Sequence, residues 1–547
     1  MGTAVFWSLF LLLVAALIYS TIMHERTKKE RLRKRISEEY GAADVNGSSS
    51  ERFDREPDLF GYMCEKNPDA FVIDDITAND LDLCDVYSRM NRCITPAGSD
   101  YLYCMFRMMR KERSELLYDK AEIFMNDKDA ARRLLMCLAG YRFTGDRDCF
   151  GILMGLKDAS GGSIAGDIGL ILLLVLSVIL SVFYPMQSVM AIIILVIISI
   201  GTYFSGRRKM EENLQGLALA LKLIKCAKDL SDRGYADLAA YRHLMKLRRG
   251  SFLISYKDQT TSDPLSIIFD YVRMITHIDL IAYKLRISGI RKYSDELLSL
   301  YENIGKADAA IALASYLIPR TCCRSSYCEE YRLSAKELYH PLVTDCVCND
   351  IEAGRGILIT GSNASGKSTF LKAVGISLLF SGSMGFAFGR KFETGPFTLY
   401  TSMALSDNIL KGESYYVVEA RSLKRICDAA DRGGCLCIID EVLRGTNTIE
   451  RIAASSCILK YLCRENVICF AATHDLELTD ILKEDMDLYH FTEEIRDDDV
   501  VFPFIIKNGV SDRTNAIRLL NMLGFDKGIV SSASGLVDKY RDTGLWT

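Results

Sequence analysis

Apolar residues follow three different rhythms along this chain. From Leu81 to about Leu156, and from Met210 to about Pro319, they recur at helical spacing with few prolines or glycines, as in Leu217-Ala218-Leu219-Ala220-Leu221-Lys222-Leu223-Ile224. That pattern predicts packed helices. Further on, the short unbroken runs Gly356-Ile357-Leu358-Ile359, Cys435-Leu436-Cys437-Ile438-Ile439 and Val467-Ile468-Cys469-Phe470-Ala471-Ala472 read as buried strands. The first leads into a helical stretch at Phe370-Leu371-Lys372-Ala373-Val374, the order of an α/β sheet.

The third rhythm is uninterrupted. Ala4 to Met23 is nearly uncharged and would rise about 30 Å as a helix, enough to cross a hydrocarbon core. It has no basic flank on its amino side and no small-residue cleavage site, so it reads as a retained signal anchor. Arg26, Lys28, Lys29, Arg31, Arg33, Lys34 and Arg35 follow it. A second block, Ile168 to Tyr203, is broken at Tyr184-Pro185-Met186-Gln187-Ser188 and closed by Arg207-Arg208-Lys209. It reads as a helical hairpin whose arms, about 17 residues each, are at the short end for a span. Three transmembrane helices are the simplest topology, and a re-entrant or buried hairpin is the alternative. Under the three-crossing reading the protein is a multi-pass membrane protein with residues 24–160 and 206–547 cytoplasmic, on the side of its basic flanks.

These patterns divide the chain into an anchor at 1–23, a basic flank and linker at 24–79, a first part of an all-α core at 80–160, the hairpin at 164–205, a second part of the core at 206–330, and an α/β domain at 331–547. Asp44 to Asp54, rich in Ser, Gly and charge, and Ala159-Ser160-Gly161-Gly162-Ser163 read as flexible connections. The 547 residues are 49% hydrophobic with a net charge of −4, which suits several domains and gives no global attraction to nucleic acid. The eighteen cysteines are scattered through the cytoplasmic portion and read as free thiols and small core residues. Cys322, Cys323 and Cys328 cluster without paired C-x-x-C spacing, so a zinc site is not expected there.

The chemistry begins after the first strand. Gly361, Gly366, Lys367 and Ser368 fill G-x-x-x-x-G-K-[ST], between a strand and a helix as that motif requires. The loop Gly361, Ser362, Asn363, Ala364, Ser365, Gly366, Lys367, Ser368 and Thr369 is therefore expected to cradle nucleotide phosphates with backbone N–H groups and the helix amino terminus. Lys367 supplies a point charge, and Ser368 a hydroxyl for Mg²⁺. The second strand ends in Asp440 and Glu441, where Asp440 can hold hydrated Mg²⁺ and Glu441 can orient or deprotonate an attacking water. His474 closes the third strand, placed to sense the terminal phosphate. ATP with Mg²⁺ is the expected ligand, with Lys367, Glu441 and His474 as the catalytic set.

The order of these motifs resembles the MutS mismatch-repair ATPases. Thr360 to Thr369 is similar to the family's T-G-P-N-M-G-G-K-S-T, Asp440 to Thr448 to its D-E-I-G-R-G-T-S-T, and Thr473-His474-Asp475-Leu476-Glu477-Leu478 to its T-H-x-x-E-L. Tyr339-His340-Pro341-Leu342 resembles the R-H-P that opens the ATPase domain, and Thr95-Pro96-Ala97-Gly98-Ser99 with Leu102 and Phe106 resembles the helical core. The resemblance implies a P-loop ATPase domain of ABC/MutS type preceded by an all-α core. It also implies a homodimer, in which Leu405 to Asn408 and Gly412 to Glu419, Ser414 among them, reach across to the partner's ATP site. Ser362, Ala364, Ser365 and Leu443 depart from the family pattern, and Leu443 stands where the family has glycine.

The family's mismatch reader is an amino-terminal domain with a Phe-x-Glu wedge. The stretch before the helical core has no room for it, and Phe491-Thr492-Glu493 falls inside the ATPase domain. The reading is a membrane-tethered, dimeric MutS-like ATPase that switches a helical clamp, with duplex DNA as first candidate partner. The alternative is an ATP-driven membrane scaffold acting on an unidentified protein partner or on lipid, without DNA. An ABC transporter is disfavoured because the L-S-G-G-Q pattern is missing.

Overall fold

The computed structural model describes residues 19–20, 23–24, 26–43, 53–110, 116–141, 148–248, 271–362, 365–403, 415–443, 446–496, 499–510, 517, 520 and 524–543. Most of the expected anchor at 4–23 and of the linker at 44–54 lies outside them.

The helical core is built on α1 (Asp75–Asp80), α2 (Leu83–Met90) and α3 (Pro96–Arg107). The starts of α1 and α3 are written locally: Asp74 accepts from Thr77 N, while Thr95 accepts from Gly98 N with Pro96 in the first turn. Next come α4 (Ala165–Leu180), α5 (Pro185–Ser231), α6 (Ile278–Lys292) and α7 (Ser294–Leu317). Helices α3 and α7 touch at two glycines. A Cβ on Gly305 would meet Ala97 O at 2.4 Å, and one on Gly98 would meet Asp308 Oδ2 at 2.4 Å. That closeness lets the fully buried Asp308 of α7 accept from Ile94 N, Thr95 N and Thr95 Oγ1, capping α3 from another helix. Burial pushes the Asp308 carboxyl up to about 6 against these hydrogen bonds.

Helix α5 corrects the expected topology. The apolar second arm does not end at Arg207 but continues without interruption into the core as one 47-residue helix. Of the expected three transmembrane helices, only α5 is long and apolar enough to cross a membrane among the described residues. Helix α4 is a shorter apolar helix of 16 residues, and three crossings are not supported.

In the carboxy-terminal domain a six-stranded sheet is formed by β1 (Gly356–Thr360), β2 (Thr398–Ser402), β3 (Cys435–Asp440), β4 (Val467–Thr473), β5 (Met486–Phe491) and β6 (Ile506–Asn508). Their order is β2-β3-β4-β1-β5-β6, parallel except for β6. The strands β1, β3 and β4 are buried along their whole length, as expected when helices cover both faces of a parallel sheet. Cys435, Cys437 and Cys469 are core residues of β3 and β4. Around the sheet lie α8 (Lys367–Ser383), α9 (Tyr415–Arg432) and α10 (Thr448–Leu462), the last capped by Asn447 through Ile449 N and Glu450 N.

Candidate nucleotide site

Strands β1, β3 and β4 lie side by side, so their carboxyl ends present the phosphate loop, the acid pair and His474 at one edge of the sheet. The loop turns at Gly361 (φ 145°) and Gly366 (φ 107°), both in conformations that favour glycine. A Cβ on Gly361 would also lie 2.8 Å from Phe491 O. Gly366 is the amino cap of α8, which begins at Lys367.

Lys367 is buried, and its Nζ donates to Gly361 O and Ser362 O at 2.8 Å each while lying 3.3 Å from His474 Nε2. Ser368 Oγ donates to Asp440 Oδ2 at 2.5 Å. His474 Nε2 lies 2.9 Å from Glu441 Oε1. Five of the expected residues thus meet here, Lys367, His474 and Glu441 in one bonded group and Ser368 with Asp440 in another, the two joined at neighbouring positions in the chain. Ser365, Gly366 and Thr369 line the same cavity, of about 640 Å³. Gly361 and Ser362 contribute through their carbonyls, whereas Asn363, Ala364 and Ser414, with most of the expected cross-dimer segment, lie outside the described residues.

The residues fit a nucleotide triphosphate with Mg²⁺. The cavity holds the lysine ammonium at the amino end of a helix, and Ser365 Oγ is buried with no hydrogen-bond partner among the described residues. Ser368 and Asp440 form the oxygen donor set that a hard cation requires.

Several features escaped the sequence reading. Ser362 Oγ donates to Glu493, and Phe491 packs on Phe370 with ring centres 6.0 Å apart. Phe491 of the Phe-x-Glu sequence therefore lines this cavity, while its Glu493 holds the phosphate loop through Ser362. Arg451 of α10 grips Asp475 in a fork of 2.9 and 2.6 Å, fixing the turn just after His474. Tyr339, His340, Val343, Val347 and Phe504 line the far side of the cavity. Burial, helped by Lys372 and Arg89, depresses His340 to about 4, so it is neutral near pH 7. Its Nδ1 accepts from Leu342 N.

Glu441 and Leu443 have φ of 60° and 59°. This is the left-handed region, which costs a non-glycine residue roughly 1–2 kcal/mol. Leu443 therefore adopts the backbone conformation that the glycine of the resembled motif takes freely.

Residues 357–541 match the model of MutS domain V, a P-loop ATPase domain. The carboxy-terminal domain is thus of the MutS domain V type. The chain is 27% identical over 251 residues to the DNA mismatch repair protein MutS of Persephonella marina, covering 44% of this chain and 29% of that protein. It is 29% identical over 263 residues to MutS of Thermosipho melanesiensis, covering 46% and 32%. For MutS 1 of Halobacterium salinarum the match is 29% over 270 residues, covering 47% and 31%. The chain thus spans under a third of the length of these MutS relatives. The MutS domain V match encloses every strand-end residue of the cluster described above, whereas the helical core and the hairpin lie before it.

Proposed function

We propose that this protein binds and hydrolyses ATP at the cavity between β1, β3 and β4, and uses the cycle as a dimer to move its helical core. The observation that carries this reading is the meeting of Lys367, Ser368, Asp440, Glu441 and His474 in one cluster within a MutS domain V. Lys367 would leave its two carbonyls for phosphate oxygens, with the loop N–H groups beside it. Ser368 and Asp440 would hold Mg²⁺, which when bound offsets phosphate charge. Glu441 orients a water and takes its proton, and His474 holds the Glu441 carboxylate in place.

The named relatives are DNA mismatch repair proteins, so duplex DNA is the first candidate for what the core grips. The charge-free hairpin favours a tether to a membrane, with the ATPase domain on the cytoplasmic side. A second reading, a membrane-bound switch acting on a protein or lipid, draws on that hairpin and on the net charge of −4. The test is binding of full-length protein in nanodiscs to matched, mismatched and branched duplexes, with and without ATP, across a salt series. Salt-sensitive, nucleotide-dependent binding supports the clamp. Absence of binding in every condition, with ATP turnover intact, supports the switch.

A further inference from the structure

Residues 168–206 contain no charged side chain, and α4 and the first half of α5 fold them into a hairpin whose sides are exposed. Leu172, Val175, Leu176 and Ile179 on α4, and Val189, Ile193 and Ile197 on α5, are each half exposed or more. The apolar side chains of the turn are more exposed still. Val182, Phe183, Tyr184 and Met186 are 79, 72, 61 and 83% exposed, where a loop made for water would carry charge or glycine.

The base of the hairpin is built differently. Asp167, in the first turn of α4, pairs with Lys284 of α6 at 2.6 Å and with His277 Nδ1 at 2.9 Å. His277, itself buried, turns its Nε2 to Ser199 O of α5 at 2.8 Å. One imidazole therefore joins both arms. A turn further along, Arg207 donates to Tyr203 OH at 2.7 Å, and Tyr203 donates to Asp279 at 2.8 Å. Every charge that borders the apolar arms at 167, 207, 279 and 284 is matched, and Arg208 and Lys209 extend the basic rim.

We propose that the α4–α5 hairpin enters a lipid bilayer from the side of the ATPase domain and turns back within it, leaving residues 182–186 in hydrocarbon. The 16 residues of α4 rise about 24 Å, short of the roughly 30 Å of a hydrocarbon core. A complete crossing would also set Phe183 and Met186 in water on the far side. Backbone groups are bonded inside both helices, and in the turn Val182 N donates to Ile179 O while Phe183 N and Tyr184 N donate to Leu180 O, as hydrocarbon requires. The matched base lies at the headgroup level, where Arg208 and Lys209 meet anionic lipid. This deepens the membrane tether proposed above and rests on it, but does not depend on what the ATPase acts upon.

The test places one new thiol at the turn, in Met186→Cys and separately Val182→Cys, in the full-length chain on phosphatidylcholine–phosphatidylglycerol vesicles with the ATPase domain outside. A membrane-impermeant maleimide is added outside or trapped in the lumen, with the unsubstituted chain as background and nucleotide binding as the check on folding. The expected result is no added labelling from either compartment until a denaturing detergent is present. Labelling from the lumen would overturn the turn-back and leave the tether. Labelling from outside would overturn bilayer insertion of the hairpin. A chain that fails to float with vesicles removes the tether as well.

Discussion

Asp80 accepts a 2.6 Å hydrogen bond from Thr401 Oγ1, 321 positions away. The same carboxylate oxygen accepts from Met403 N at 3.0 Å, and nearby Asp74 pairs with Arg425 of α9. The short helix α1 of the core thus clasps the end of β2 and the helix beyond it. Whatever the ATPase domain does at that edge of its sheet is felt directly by the core.

Asp80→Ala strands the Thr401 hydroxyl and the Met403 N–H in a buried place. The expected cost is about 2–3 kcal/mol, read as a lowered midpoint in thermal melts of the full-length protein. The neighbouring Asp75→Ala removes an exposed pairing with Arg107, and should change stability by no more than about 0.5 kcal/mol.

Lys367→Ala should abolish binding of a fluorescent ATP analogue, because both the phosphate charge partner and the clamp on Gly361 O and Ser362 O are lost. Glu441→Gln should bind that analogue normally and lower steady-state phosphate release by a hundredfold or more, on the order expected for loss of a positioned base. Turnover near the unsubstituted rate would remove Glu441 from the base role.

Leu443→Gly sets two effects against each other. Relief of a left-handed leucine returns roughly 1–2 kcal/mol, while losing a side chain that is 3% exposed costs about 2–3 kcal/mol, with a further 0.5–1 kcal/mol or so of chain entropy. The balance is a net loss of about 0.5–3 kcal/mol, measurable by denaturant titration. A rise in stability would show that strain dominates at this turn.

Two buried groups tilt stability in opposite directions below pH 7. Asp308 is raised from 3.8 to about 6, so its contribution is fully present below pH 4 and is lost as pH rises through 6. His340 is lowered from 6.5 to about 4, so its contribution is present above pH 6.5 and is lost as pH falls through 4. Each spans on the order of 3 kcal/mol. Asp308→Asn should therefore make the melting temperature climb more steeply from pH 4 to 6.5 than in the unsubstituted protein, and His340→Gln should make it climb less.

The phosphate loop, the acid pair and His474 were legible because each lies at the end of a strand whose apolar run is continuous, so the sequence marks both the strand and the point where it opens. The caps at Thr95 and Asn447 are also local signals, which the reading of the sequence passed over. The fork from Arg451 to Asp475, the bond from Ser362 to Glu493 and the clasp from Asp80 to Thr401 were not legible, since only tertiary packing brings those partners together. The end of the hairpin's second arm was misjudged for a different reason. Hydropathy falls at Arg207, but nothing in Ser205-Gly206-Arg207-Arg208-Lys209 obliges the backbone to leave its helix, so α5 runs on, and among the described residues it is the one helix of spanning length.

That continuity makes α5 a lever. Its 47 residues measure about 70 Å, so a tilt of about 5° at the core end sweeps the far end through roughly 6 Å. No joint stands between the helix that packs against the core and the tip that carries Met186. Under the proposed cycle, a movement of the core would be carried along this helix to the hairpin, and resistance met by the hairpin would be returned along the same shaft. The stiffness of whatever surrounds the tip would then be a mechanical load on the proposed nucleotide cycle.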